Sequence, residues 1–281
     1  MKNFKIMGLM LAIAGISLFT SCKKDRANNS EETELAIEIQ SNNAEATKVY
    51  DIINNEIDDA SALIDSLNYV NPTKTLDSCV TITINHPDTT TWPKIIIYDF
   101  SGNCTTENGN VLSGQIVINQ TDRYRNDGMV RTITFNGFAI NGYMVTGTKT
   151  ITNLGTISGF KTFSVSIVDG AITTPTGEVI VTRNAQRVRS WIEGESTHQK
   201  YDDVYLITGT TSGPTRNGKV FSSTITEPLL VAKNCRWIKR GKITTTIENG
   251  PVVLIDFGNG DCDRIATITI NGNTRTVNMR N

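Results

Sequence analysis

The sequence predicts an all-β protein: a large antiparallel β-meander that forms a sandwich or a curved, partly open barrel, with one N-terminal amphipathic helix packed on it. Thr, Ile and Val dominate the chain from residue 79 onward, which suits a pleated, half-buried surface. Asn-Gly pairs begin at 108, 136, 141, 217, 249, 259 and 271, and Asp-Gly pairs at 127 and 169. Such pairs fit the positive φ angles of tight hairpin turns. No βαβ rhythm is present, so a parallel sheet is not expected.

The first 21 residues have the pattern of a lipoprotein signal peptide. Lys2 and Lys5 precede an uncharged, mostly apolar run that ends at Phe19, and Ser21 stands directly before Cys22. The run is shorter than the about 20 residues that a membrane-spanning helix needs. Cys22 is therefore the predicted lipidation site, carrying acyl chains such as palmitate that anchor the mature chain to a membrane. An ordinary signal peptide or a short membrane helix is the alternative.

Residues 22–43 are predicted to be the lipidated cysteine and a flexible tether, because this stretch is polar and charged. Residues 44–70 are predicted to form an amphipathic helix that ends before Asn71-Pro72. Its apolar residues recur every three or four positions, at Val49, Ile53, Ile57, Ala60, Ile64 and Leu67. This stripe is expected to pack on the sheet, with self-association as a coiled coil as the alternative.

Residues 79–281 are predicted to be the all-β domain, with about twelve strands. Apolar and hydroxyl residues alternate in several segments, as in Phe163, Val165 and Ile167 against the intervening Ser164 and Ser166. A weak similarity between the segments that follow Asn141 and Asn217 suggests two related halves, with a boundary near 169–176.

A short pattern that occurs twice predicts two disulfides. In each copy a cysteine opens one extended segment, and a second segment ends in Asp-Phe and a Gly/Asn turn before another cysteine. Four cysteines allow three connectivities, and the duplicated pattern selects Cys79–Cys104 and Cys235–Cys262. An even number of cysteines in an exported protein favours disulfides. A zinc site is the alternative, but the sequence has no Cys-x-x-Cys pair to support it.

Composition and motifs argue against several functions. A net charge of −1 does not favour nucleic acid or an electrostatic membrane partner. The two histidines are His86, beside Pro87, and His198, and no hydrolase, zinc-protease or phosphate-loop motif accompanies them. The chain is therefore predicted to be non-catalytic and to need no cofactor.

Two kinds of ligand site remain as candidates. The turn after the second Asp-Phe offers an oxygen-rich set that calcium favours, although a structural turn is the preferred interpretation. Its candidate ligands are Asp256, Asn259, Asp261 and Asp263. A basic and aromatic set would suit a carboxylated or phosphorylated glycan if residues 179–192 form one strand, because its members then share one face. This set comprises Arg183, Arg187, Arg189 and Trp191, and further basic–aromatic clusters occur at 123–125 and 236–237.

Several of these features together resemble uncharacterised cell-envelope lipoproteins of Bacteroides-type bacteria: the lipidation motif, the polar tether, the Asp-Phe-Gly-Asn-Gly-x-Cys turn, and the segments that begin at Asp202 and Asn217. The resemblance covers most of the mature chain and brings no established activity or site residues. In such bacteria an acidic run after the lipidated cysteine directs lipoproteins to the cell surface. Here Lys23 and Lys24 follow Cys22, so an outer-membrane location is expected while the side of that membrane stays open.

Two functions are compatible with these observations. The first is a non-catalytic outer-membrane lipoprotein whose β scaffold binds a protein partner or an envelope glycan. The alternative is a periplasmic carrier that holds a lipid or another hydrophobic ligand in a curved sheet under the helix.

Overall fold

The computed structural model describes residues 73–76, 79–86, 88, 90–105, 109–197, 199–214 and 218–279. The predicted signal peptide (1–21), lipidated cysteine and tether (22–43) and amphipathic helix (44–70) lie outside these residues. The described part is all-β, as predicted. It has fourteen antiparallel strands rather than about twelve, and one helical element, a 3₁₀ turn at Lys200–Asp202. None of its helices is long and apolar enough to cross a membrane.

The strands follow one another along the chain. The first seven are β1 (Thr73–Leu76), β2 (Val80–Ile84), β3 (Lys94–Thr105), β4 (Val111–Gln120), β5 (Val130–Ile140), β6 (Tyr143–Ile157) and β7 (Phe160–Thr173). The second seven are β8 (Val179–Glu193), β9 (Val204–Pro214), β10 (Val220–Ala232), β11 (Ile238–Ile247), β12 (Val252–Asn259), β13 (Ile265–Ile270) and β14 (Asn273–Asn278).

All fourteen strands belong to one open sheet in which each pairs with its neighbours in sequence. The architecture is thus a single continuous meander and not a sandwich of two sheets. The predicted boundary near 169–176 falls at the end of β7 and in the turn before β8, and the sheet continues across it.

One face of the sheet, called the inner face, carries the core because apolar residues alternate with polar ones along most strands. The main hydrophobic cluster extends from β2 to β9, and two smaller clusters lie on β10 to β14. Phe163, Val165 and Ile167 belong to the inner face, as their alternation predicts, and Ser164 and Ser166 belong to the opposite, outer face. The outer face of the central strands is rich in Thr and Ser.

Both predicted disulfides are present and close antiparallel hairpins. Cys79–Cys104 joins the open end of the β2–β3 hairpin, and Cys235–Cys262 does the same for β11–β12. In both copies the phenylalanine of the Asp-Phe pair, Phe100 or Phe257, is buried.

Bulges interrupt the ladder at several places, which strengthens twist and bends a strand. At Gly114 in β4, an added Cβ would lie 2.2 Å from the carbonyl oxygen of Gly137 in β5. The two strands can therefore approach this closely only because position 114 has no side chain.

Candidate functional site

The four residues predicted to share one face of a strand do so. Arg183, Arg187, Arg189 and Trp191 alternate along β8, whose pairing with β9 is regular from Asn184 to Trp191. The nearest irregularity in the pairing with β7 inserts its extra residue into β7, between Ile167 and Gly170. The alternation of β8 is therefore unbroken, and all four side chains lie on the inner face.

Two further cations lie on this face and were not singled out by the sequence analysis. Arg131 of β5 and Lys149 of β6 are 1% and 5% exposed, respectively. Both alternate with inward-facing isoleucines, Ile133 and Ile151, and this alternation was the available signal. We call Arg131, Lys149, Arg183, Arg187 and Arg189 the basic row.

The register of the sheet fixes the layout of the basic row. Arg131 pairs with Ile151, Ile151 with Val165, and Val165 with Arg187, so the two arginines lie on one line across the strands. Lys149 pairs with Ile133 and Ile167 and lies on the adjacent line. The line from Arg131 to Arg187 thus crosses β5 to β8, while Arg183 and Arg189 lie along β8 on either side of Arg187.

A loop between β4 and β5 supplies an aromatic ring to the row. The ring of Tyr124 stacks on Phe163, with the centroids 5.0 Å apart and the planes 15° from parallel. The guanidinium of Arg131 lies 4.5 Å from the centroid of the Tyr124 ring, and Arg189 donates a hydrogen bond to the Tyr124 hydroxyl. Arg131 also donates from Nε to Oε1 of Gln120 over 2.7 Å. These contacts hold the guanidinium groups in fixed orientations.

A buried carboxyl group lies at one end of the row. Asp203 accepts hydrogen bonds from Nε1 of Trp191, at 3.1 Å, and from the hydroxyl of Tyr205, at 2.9 Å. Burial raises the pKa of the Asp203 carboxyl above its ordinary value, although both hydrogen bonds act in the opposite direction. Burial is also the main reason that the pKa of Tyr205 is raised. The hydroxyl of Tyr205 therefore remains a proton donor to this carboxyl.

The buried charges of the described residues are strongly unequal in sign. Four cationic side chains are buried, Lys94, Arg131, Lys149 and Arg183, while Asp203 is the one buried carboxyl group in this part of the chain. Lys94 lies at the start of β3 and donates to the carbonyl oxygens of His86 and Asp88. Burial lowers the pKa of Lys94. The remaining buried cations belong to the basic row, which makes this face suited to an anion.

The predicted stacking surface of Trp191 is occupied by the chain itself. The guanidinium of Arg125 lies 4.8 Å from the centroid of the Trp191 ring. Arg125 also donates to the carbonyl oxygens of Glu195 and Thr197. The cluster at 123–125 and that on β8 are thus brought together. Arg236 and Trp237 form a separate pair, 5.6 Å apart, beside the second disulfide.

The proposed calcium ligands do not converge. Among the described residues, no group of three or more His, Cys, Asp or Glu side chains is arranged to hold a metal ion. Asp256 accepts a hydrogen bond from the Gly258 N–H, and Asp263 from the Ile265 N–H. Asn259 ends β12 opposite Arg240, and Asp261 is exposed. Asp256 and Asp263 therefore cap their own turns, which agrees with the preferred interpretation of a structural turn.

His86 is exposed, and its backbone carbonyl accepts a hydrogen bond from Lys94. His198 and the predicted lipidation site Cys22 lie outside the described residues. Comparison of the chain with protein-family models, curated proteins and solved structures finds no significant match.

Proposed function

We propose that this is a non-catalytic, lipid-anchored outer-membrane protein whose sheet is a scaffold that binds an acidic partner on its inner face. The observation that carries the proposal is the basic row, five cationic side chains on the core face of three strands, β5, β6 and β8. Removing a cation from water is expensive unless an anion and hydrogen bonds replace the water. A face with this charge is complementary to carboxylate or phosphate groups.

The contacts of the aromatic rings favour an acidic polypeptide over a glycan. A glycan site commonly offers an open aromatic face, but Tyr124 is stacked on Phe163 and Trp191 lies beneath Arg125. The guanidinium group of arginine is a forked donor whose geometry matches a carboxylate. An acidic segment with apolar residues could contact both the basic row and the isoleucines between its members.

The carrier hypothesis is less well supported. The inner face has many apolar residues, but Arg131, Lys149 and Arg183 are buried among them. A hydrocarbon chain would exclude water from these charges and offer them no polar group, which is unfavourable for buried ions. An anionic ligand avoids this penalty.

Binding of defined polymers to the mature protein tests the proposal. A fluorescent peptide of alternating Glu and Leu turns is titrated by anisotropy, with polygalacturonate as the anionic glycan and dextran as the neutral one. The double variant Arg187→Gln with Arg189→Gln should weaken peptide binding at least about tenfold, the effect of losing about 1.4 kcal/mol. The matched control Arg236→Gln removes a cation from the separate Arg–Trp pair and should leave binding unchanged.

Two results would overturn this assignment. Equal affinity of the double variant and the wild type would show that the row is not the binding surface. Binding of polygalacturonate alone would replace the acidic polypeptide by a glycan.

The lipid anchor is tested separately. Cys22→Ser should move the protein from the outer-membrane fraction to the soluble fraction, and retention in the membrane would contradict lipid anchoring at this residue.

A further inference from the structure

We propose that the resident occupant of the inner face is the chain's own acidic segment, residues 44–67, bound as a helix that crosses β2 to β9 with Glu56 at Arg131 and Glu45 at Arg187. This inference rests on the proposed function, since it identifies the first acidic partner of the same face. An external partner would then compete with this segment for the basic row.

The N-terminal segment and the sheet carry opposite net charges. Residues 27–72 contain ten carboxylates and one lysine, a net charge of −9, whereas residues 73–281 contain 21 basic and 17 acidic side chains, a net charge of +4. Within residues 44–67 the balance is six carboxylates to one lysine, a net charge of −5. The basic row carries five positive charges. The two parts of the chain are therefore complementary.

The helical pattern places two of these carboxylates on the apolar stripe. Glu56 follows Ile53 by three residues and precedes Ala60 by four, and Glu45 precedes Val49 by four. Residues at these spacings lie on the same side of an α-helix. A helix that buries this stripe must bury both glutamates with it, and a buried carboxylate needs a cation. The basic row lies on the core face that the stripe would cover.

Dimensions are the third argument. A helix of the 24 residues from 44 to 67 is about 36 Å long at 1.5 Å per residue. The sheet from β2 to β9, which holds the main core cluster, is about 34 Å wide at about 4.8 Å between strands. The segment matches the width of the face it would cover.

The direction of the chain gives the pairing. Leu67 precedes β1 by six residues, so the helix would end near the β1 edge of the sheet. Glu56 is about 16 Å from that end, which is three to four strand spacings and reaches β5, where Arg131 lies. Glu45 is about 33 Å from the same end of the helix, which reaches β9 and β8, and Arg187 lies on β8. Lys149 on β6 lies between the two positions.

Tryptic cleavage of the unmodified mature protein gives the first test. Lys48 is the one trypsin site between Arg26 and Lys74, and it lies within the proposed helix. Cleavage after Lys48 should be at least about 100-fold slower than in a free peptide of residues 40–70, because it requires local opening. Cleavage after Arg26 in the tether is the internal control and should be fast. Equal rates for the chain and the peptide at Lys48 would overturn the proposal.

A charge exchange tests the pairing. Glu56→Arg should lower Tm by about 10 °C, as expected for one uncompensated charge in a buried pair, and combining it with Arg131→Glu should restore at least half of the loss. Asp58→Arg is the matched control, because Asp58 lies on the opposite side of the helix and its Tm should change little. Equal effects of the changes at 56 and 58, or no recovery in the double variant, would contradict the pairing.

The two proposals fail in different ways. Fast cleavage at Lys48 together with peptide binding that depends on Arg187 and Arg189 would remove the resident segment and leave the proposed function. A protected Lys48 with no peptide binding, in either the wild type or the Glu56→Arg variant, would remove the external partner and leave the resident segment. When both hold, Glu56→Arg should bind the acidic peptide more tightly than the wild type.

Discussion

Replacing Arg131 by methionine tests whether a carboxylate compensates the charge of the basic row at this position. Methionine retains an unbranched apolar side chain of similar reach and removes the charge. The change forfeits a charge-assisted hydrogen bond to Gln120, worth about 1.5–3 kcal/mol, and the contact with the Tyr124 ring, worth about 1–2 kcal/mol when dry. It also removes the desolvation penalty of a side chain that is 1% exposed, which is several kcal/mol.

The sign of the net effect depends on whether a carboxylate faces Arg131. If one does, the substitution leaves that carboxylate buried alone and should lower the free energy of unfolding by about 3–5 kcal/mol, which corresponds to a fall in Tm of about 10 °C for a chain of this size. Calorimetry and urea denaturation measure both quantities. Arg275→Met, on the exposed strand β14, is the control and should change Tm by less than about 2 °C. An Arg131→Met variant as stable as the wild type, or more stable, would refute the claim that a carboxylate faces Arg131.

Three further predictions concern the described sheet. Replacing Cys235 and Cys262 by serine opens a loop with a sequence separation of 27 residues and should reduce the free energy of unfolding by about 3.5 kcal/mol; a urea midpoint equal to that of the wild type would contradict this. Gly114→Ala should destabilise by at least about 3 kcal/mol, because its Cβ would meet the Gly137 carbonyl and position 114 has a φ of +76°. Gly258→Ala, where φ is also positive but no atom lies within 4 Å, should lose only about 1 kcal/mol, and similar losses at both sites would argue against the close approach. The pKa of the Asp203 carboxyl is raised in the folded state, so the folded chain binds the carboxyl proton more tightly than the unfolded chain does. The stability that this proton contributes is present at low pH and is lost as pH rises from 3.8 through the raised value. Asp203→Asn should flatten this part of the curve of unfolding free energy against pH, and an unchanged curve would show that Asp203 does not titrate there.

The strand content, the face alternation and the disulfides follow from local signals in the sequence. Alternation of Phe163, Val165 and Ile167 with hydroxyl residues fixes their common face whatever the architecture, because the side-chain period of a strand is two. The duplicated cysteine pattern likewise selects the pairing that the structure contains.

The sequence does not distinguish hairpin turns from β-bulges. The Asn-Gly pairs at 141 and 271 form hairpin turns with positive φ at both residues. The pair at 136 lies inside β5, however, and Asp169-Gly170 lies inside β7, where the ladder is irregular. A bulge and a tight turn make the same demand for positive φ, so residue type alone does not distinguish them.

The site was predictable only along single strands. The common face of Arg183, Arg187 and Arg189 depends on the period of β8 and was correctly predicted. Their association with Arg131, Lys149 and Tyr124 depends on the register of four strands and on the course of the β4–β5 loop. Register is set by cross-strand packing and by bulges that the sequence pattern does not locate. The calcium candidates show the limit of closeness in sequence, because Asp256 and Asp263 accept hydrogen bonds from backbone N–H groups of their own turns.

Zero-length cross-linking of the unmodified mature protein tests most directly whether acidic residues 44–67 occupy the basic row. A water-soluble carbodiimide joins a lysine to a carboxylate only when the two are in contact, and peptide mapping identifies the partners. Lys242 and Glu227, whose charged atoms are 2.6 Å apart, are the internal positive control. We expect a cross-link between Lys149 and a carboxylate of residues 44–67. A linked Lys242–Glu227 pair without any link from Lys149 to this segment would contradict it.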